Sequence, residues 1–261
     1  MKRTMTGAGW LAVLAALASP PAIAQSAKQP SASLPGGFIY LHDVDSSIIQ
    51  DIRYASTNNF TGRKLAGYDA PECVVKKQVA DALAKAQADL KTKGLSLKLF
   101  DCYRPARASR DMVAWANDGK ETPQQKRYHP KLNKRDLFKL GYIAAYSGHS
   151  TGAAVDLTLV DLAADNSAAF DPKADYADCT APADKRAPEG SVDMGTGYDC
   201  SDNKAHTGAG SITPQQRMMR QTLVAAMAKQ GFVNYAKEWW HFSIGGVATG
   251  AFDFPIRARS Q

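Results

Sequence analysis

Ser147-Gly-His-Ser-Thr-Gly-Ala-Ala-Val-Asp156 reads as a tight turn of small residues running straight into a β-strand. Glycines 148 and 152 let the backbone approach a bound group closely. From Gly152 to Val160 the residues alternate, Val155, Leu157 and Leu159 on one face and Ala154, Asp156 and Thr158 on the other. Asp156 is therefore expected to point away from the apolar face, among neighbours small enough to leave room for a ligand, with His149 on the turn just ahead of it. Much later comes Glu238-Trp-Trp-His241, a second imidazole with a carboxylate close by. Two imidazoles and one carboxylate suit a catalytic zinc ion with a fourth position open to water. A glutamate beside that set, not itself a ligand, suits removal of the water's proton. On an ideal strand, residues three apart face opposite ways, so Glu238 and His241 need a bend or bulge to reach one site. The plainer reading is a turn histidine, and an aromatic strand with a surface Glu–His pair.

Around these stretches the chain alternates irregularly between helical and extended patterns. Glu72 to Lys93 places Val75, Val79, Leu83 and Leu90 near one helical face, with Gly94 as a stop. Leu95 to Asp101 alternates as a strand, and Pro105 opens a helix running toward Gly119. Thr213-Pro-Gln-Gln216 is a helix start with a capping threonine, proline at the first position and glutamine at the third. Met219, Leu223 and Met227 follow as core-facing residues, and Gly231 ends the helix. Phe232–Tyr235 and Trp239–Ile244 read as a strand pair. Without regular β-α-β alternation, the pattern is that of one α+β domain, a mainly antiparallel sheet flanked by helices. Residues 161–193 are polar, rich in Asp and Ala, and read as an inserted loop.

Met1-Lys2-Arg3, the apolar run Trp10–Ala18 and Ala22-Ile23-Ala24 follow the pattern of a secretory signal peptide over residues 1–24. The apolar run is too short and interrupted to span a bilayer, so no stable membrane insertion is expected. Residues 25–37, rich in Ser, Pro, Ala and Gly, read as a flexible leader to a domain at 38–261. Removal of Lys2 and Arg3 would take the formal charge from +7 to +5, which suits an anionic cell-wall environment. No basic block with interleaved aromatics suggests nucleic acid. Four cysteines in an exported chain favour disulfides and allow three pairings. Cys73–Cys102 and Cys179–Cys200 are favoured because each pair is the nearer in sequence. No C-x-x-C spacing supports a structural zinc cluster.

The pattern Ser147-x-His149-x-x-Gly152-x-Ala154-x-Asp156 followed by Glu238-Trp-Trp-His241 resembles the signature of the D-alanyl-D-alanine dipeptidases, a branch of the zinc D,D-peptidases of peptidase family M15. The resemblance extends to Arg53-Tyr54-Ala-Ser-Thr-Asn-Asn-Phe-Thr-Gly62, Asp101-Cys-Tyr-Arg-Pro105, Met194-Gly-Thr-Gly-Tyr-Asp199 and Phe252-Asp-Phe-Pro255, in the family's order from about residue 38 to 257. It implies the hedgehog-like fold of those peptidases and one Zn2+ bound by His149, Asp156 and His241. Glu238 would be general base and then proton donor, and Arg104 the stabiliser of the oxyanion. Asp199 would receive the ammonium of the dipeptide, Ser147 and Tyr54 would line the substrate pocket, and Asp101 would orient Arg104 from behind. The implied partners are the D-Ala-D-Ala dipeptide and, beyond it, peptidoglycan fragments. With the signal peptide, the implied compartment is the periplasm.

This chain also departs from the family pattern. A signal peptide is absent from the family's cytoplasmic members, and Cys102 stands where a glycine is common. Two rivals remain at this point. A D,D-carboxypeptidase would trim longer peptidoglycan stems, and a zinc-bearing binding domain would not catalyse at all. Asp199 argues against the first, and the pair Glu238 and Arg104 against the second.

Overall fold

Five strands form the main sheet in the order β2 (Ile49–Gln50), β4 (Leu95–Asp101), β5 (Ala154–Asp161), β7 (His241–Ile244), β6 (Phe232–Asn234). β2 runs parallel to β4, whereas the other three pairings are antiparallel. A smaller antiparallel pair joins β1 (Phe38–Tyr40) to β3 (Val74–Lys76). In this computed structural model the described residues are Met1, 34–144, 146–247 and 250–259. Apart from Met1, the expected signal peptide at 1–24 lies outside them, as does most of the expected leader at 25–37.

Two long helices, α1 (Lys77–Lys91) and α5 (Pro214–Ala228), lie against each other and against β4, β5 and β6. α1 buries Val79, Leu83, Ala86 and Leu90 at helical spacing. α5 starts as its sequence indicates: the Thr213 side chain accepts from the Gln216 N–H, and Gln216 returns a bond to the Thr213 N–H. The shorter α2 (Ala106–Ala116) follows Pro105, and α3 (Pro123–Lys126) and α4 (Leu137–Leu140) are single turns. The chain is thus a mixed α+β protein.

Two boundaries and the burial of one strand differ from the reading of the sequence. The helix expected from Glu72 begins only at Lys77, because Val74 and Val75 pair with Tyr40 and Ile39 in β3. Those β-branched residues fit a pleated surface as well as they fit the helical face on which Val75 was placed. β7 begins at His241 rather than Trp239, leaving Glu238, Trp239 and Trp240 in the turn before it. β5 is buried on both faces, Asp156 and Thr158 included, because the face that carries Asp156 is covered by the loop bearing Tyr198.

Gly152 stands just before β5 at φ 76°, where a Cβ would meet the Phe38 ring at 2.3 Å, so only glycine fits. Both favoured disulfides are present, with Cα–Cα separations of 5.4 Å for Cys73–Cys102 and 5.5 Å for Cys179–Cys200. Residues 162–202 contain neither helix nor strand. Near the end of that segment, the Glu189 carboxylate accepts from the Tyr198 N–H at 2.8 Å and lies 3.8 Å from the buried Arg53 guanidinium.

Candidate metal centre and substrate pocket

Asp101, Asp156 and His241 form one row across β4, β5 and β7, since Asp156 is paired with both of the others. Residues directly opposite one another in antiparallel strands put their side chains on the same face. The row depends on an irregularity in β4. Leu99 faces Leu157, and then Asp101, not Phe100, faces Asp156. One inserted residue reverses the alternation and turns Asp101 toward the site. His149 comes from the 3₁₀ turn Gly148–Thr151, where the Ser147 hydroxyl caps the turn by accepting from the His149 N–H at 3.2 Å.

Three donor atoms converge here. His149 Nε2 lies 3.2 Å from His241 Nδ1 and 3.2 Å from Asp156 Oδ1, and His241 Nδ1 lies 2.9 Å from the same oxygen. Bonds of 2.0–2.1 Å to a tetrahedral zinc ion place neighbouring ligand atoms about 3.3 Å apart, close to this triangle. The hydrogen-bond pattern agrees. The Cys102 carbonyl, 2.7 Å from His149 Nδ1, can only accept, so Nδ1 carries a proton and Nε2 is the ring atom left to serve as a ligand. Burial disfavours the Asp156 carboxylate, but the facing imidazoles, which hold positive charge when no metal is bound, outweigh it and keep the carboxyl well below the usual range. A buried carboxylate that draws positive charge onto the two facing rings has the donor set to take a metal cation in place of those protons.

Glu238 reaches this centre from the turn between β6 and β7. Its N–H donates to the Tyr235 carbonyl at 2.9 Å, and Asn234 Nδ2 donates to the carbonyls of Glu238 and His241 at 3.0 Å each. That turn provides the bend which a continuous strand would lack. Glu238 Oε2 ends 3.9 Å from His241 Nδ1, beside the donor triangle but outside it. Burial, then repulsion from Asp156 and Asp199, pushes the Glu238 carboxyl well above the ordinary range, so it can hold a proton. Trp239 and Trp240 meet edge to face at 5.3 Å, and the Trp239 indole N–H donates to Thr196 Oγ1, which fixes the turn.

Asp101 clamps Arg104. Its Oδ2 accepts from Arg104 Nε at 2.9 Å and lies 2.8 Å from Nη2, while its Oδ1 accepts from the Tyr68 hydroxyl. Among the described residues, the Met112 thioether at 3.7 Å is the hydrogen-bond partner of Arg104 Nη1. A buried guanidinium with an almost unused donor facing a cavity is suited to meeting negative charge there.

The cavity measures about 230 Å³ and is lined by Tyr54, Arg104, Ser147, His149, Asp156, Asp199, Glu238 and His241, together with Phe60, Met112 and Trp240. It is smaller than the roughly 300–1,000 Å³ of sites that take drug-sized ligands. Asp199 accepts from the Tyr54 hydroxyl at 2.9 and 3.1 Å. Its backbone stands at φ 59°, a left-handed conformation that Asp tolerates better than most residues. Burial, and next the nearby Asp156 carboxylate, pushes the Asp199 carboxyl up to about 8. The fold therefore brings all eight expected pocket residues together, with Asp101 directly behind Arg104. Two participants were not anticipated. The Cys102 carbonyl left no sequence signal, and Tyr198, whose hydroxyl donates to Asp156 Oδ2 at 2.9 Å, has no role of its own in the 194–199 motif as read from the sequence.

A family model described as D-ala-D-ala dipeptidase matches residues 36–178 and 171–256. The D-alanyl-D-alanine dipeptidase of Streptomyces coelicolor is 34% identical over 223 residues, covering 85% of this chain and 98% of the relative. That of Enterococcus faecium is 30% identical over 223 residues with the same coverage, and that of Escherichia coli K12 is 28% identical over 200 residues, covering 76% and 80%. The chain belongs to the D-ala-D-ala dipeptidase family of peptidases.

Proposed function

We propose that the protein is a zinc-dependent dipeptidase that hydrolyses D-alanyl-D-alanine to D-alanine in cell-wall metabolism. The observation that carries this reading is one small cavity holding both the His149–Asp156–His241 donor triangle and the inward-facing carboxylate of Asp199. The family's relatives are named for the same dipeptide. The proposed fold is that of the zinc D,D-peptidases, hedgehog-like, over residues 38–261 with 161–193 as an insertion. The proposed compartment is the periplasm, on the strength of the signal-peptide pattern at 1–24.

His149, Asp156 and His241 would hold the zinc ion, which when bound polarises a carbonyl and lowers the pKa of water to about 7. Glu238 takes a proton from the attacking water, and the burial that favours its protonated form lets it keep that proton until the D-alanine amine departs. Arg104, held by Asp101, turns its free Nη1 donor to the oxyanion that develops on the peptide oxygen. Asp199, supported by Tyr54, pairs with the ammonium of the substrate, and Ser147 lines the same pocket. A longer peptide has no ammonium at that position and would leave Asp199 without a charged partner in a small pocket.

The test is a mass-spectrometric assay of the zinc-loaded protein with D-Ala-D-Ala, L-Ala-L-Ala and a muramyl pentapeptide side by side. Cleavage of D-Ala-D-Ala alone is expected. Comparable cleavage of the pentapeptide would replace the dipeptidase reading by a D,D-carboxypeptidase, and no turnover of any substrate would leave a zinc-bearing binding domain.

A further inference from the structure

We propose that Tyr198 is a positioning residue for the metal centre: its phenol holds Asp156 so that a single oxygen, Oδ1, faces the two imidazoles. The inference rests on His149, Asp156 and His241 being the metal-binding set. Asp156 divides its oxygens cleanly. Oδ1 lies 2.9 Å from His241 Nδ1 and 3.2 Å from His149 Nε2, and Oδ2 accepts from the Tyr198 hydroxyl at 2.9 Å. β5 fixes the backbone of Asp156, but rotation of a carboxylate about its last bond is broad and roughly two-fold. The next group near Oδ2 is Arg104 Nη2, at 3.8 Å. Without the phenol, the carboxylate is free to swing toward that guanidinium and away from the imidazoles.

Tyr198 is built to hold one orientation. Its ring stacks on Phe100 at 4.6 Å and meets the edge of Trp240 at 5.5 Å. Its backbone N–H is tied to Glu189 at 2.8 Å, at the end of the long irregular segment. The left-handed turn at Asp199 then sends the next side chain into the pocket while Tyr198 stays beneath it. Phenylalanine would fill the same space and keep both ring contacts, so packing alone does not account for the hydroxyl. The Tyr54 hydroxyl, 3.4 Å away, is the other acceptor in reach, but one proton serves one acceptor, and the charged oxygen at 2.9 Å is the stronger.

The experiment compares zinc affinity of the wild type, Tyr198→Phe and Tyr54→Phe by competition with a chromophoric chelator, without substrate. Loss of a partner that orients a ligand typically weakens metal binding about 10–100-fold, and that loss is expected for Tyr198→Phe. Tyr54→Phe, which touches Asp199 and not Asp156, is expected to bind zinc like the wild type. Any loss of dipeptide turnover in Tyr198→Phe is expected to be repaired by raising free zinc. Zinc affinity within twofold of wild type, equal weakening in both variants, or a turnover loss that zinc does not repair would each overturn the proposal. Because affinity is read without substrate, failure to cleave D-Ala-D-Ala would remove the assigned reaction and leave this result standing.

Discussion

Replacing Asp199 by asparagine should stabilise the metal-free protein while removing the carboxylate proposed to receive the substrate's ammonium. The Asp199 carboxyl is pushed up to about 8, chiefly by burial and then by the Asp156 carboxylate. In an unfolded chain the same group titrates near 3.9. Between these values the folded state holds a proton that the unfolded state has released. The stability contributed by this group is therefore complete below about pH 4 and is lost as the pH rises through about 8. At pH 7 the loss is about 4 kcal/mol, from roughly three pH units at 1.36 kcal/mol each, and partial solvent contact lowers the realistic figure to about 2–4 kcal/mol. Asparagine has the same shape, still accepts from Tyr54 and tolerates the positive φ, so little else changes. Urea unfolding of chelator-treated protein at pH 4 and pH 7 is the assay. Asp199→Asn is expected to gain about 2–4 kcal/mol at pH 7 and nothing at pH 4. In the zinc-loaded form, the dipeptide KM should rise by about 30-fold or more, because a buried ammonium loses its charged partner. Equal stability of the two proteins at pH 7 would refute the picture of a buried, uncompensated carboxylate.

Glu238→Ala should retain zinc, measured by metal analysis after dialysis, and lose turnover by about 10²–10⁴-fold; near-normal turnover would take the proton-transfer role away from it. Arg104→Lys keeps the charge but cannot reproduce the two-point clamp on Asp101, so kcat should fall about 10²–10³-fold at little cost in zinc content. The double variant Cys73→Ala, Cys102→Ala opens a covalent loop of sequence separation 29 and should lower unfolding stability by about 3–4 kcal/mol by chain entropy, read by urea titration.

The turn and strand at 147–156 were legible because small residues and strict alternation leave few other conformations open to such a stretch. The α5 start was legible for a similar reason: threonine, proline and glutamine at fixed offsets each satisfy one demand of a helix terminus. Val74 and Val75 misled because a valine pair suits a buried strand and a helical face alike, and only the pairing with β1 decides between them. The row Asp101–Asp156–His241 could not be read in advance. It depends on one extra residue at Phe100, and a bulge of that kind leaves no mark in composition. The roles of Tyr198 and of the Cys102 carbonyl were hidden for another reason. Each depends on a partner far away in sequence, Asp156 and His149, that only the fold brings within 2.9 Å and 2.7 Å. The residues that line the pocket were therefore readable as a set, while what holds them in place was not.

The His149–Asp156–His241 donor triangle and the Asp199 carboxyl share one small pocket, and the proposed reaction needs the first to bind zinc and the second to receive the substrate's ammonium. That requirement is tested most directly by comparing kcat/KM of the zinc-loaded protein for D-Ala-D-Ala and for N-acetyl-D-Ala-D-Ala, with a chelator-treated sample as control. Turnover of the free dipeptide that disappears with zinc, and a fall of about 100-fold or more on acetylation, is the predicted result. Equal turnover of the two substrates, or turnover that survives metal removal, would contradict it.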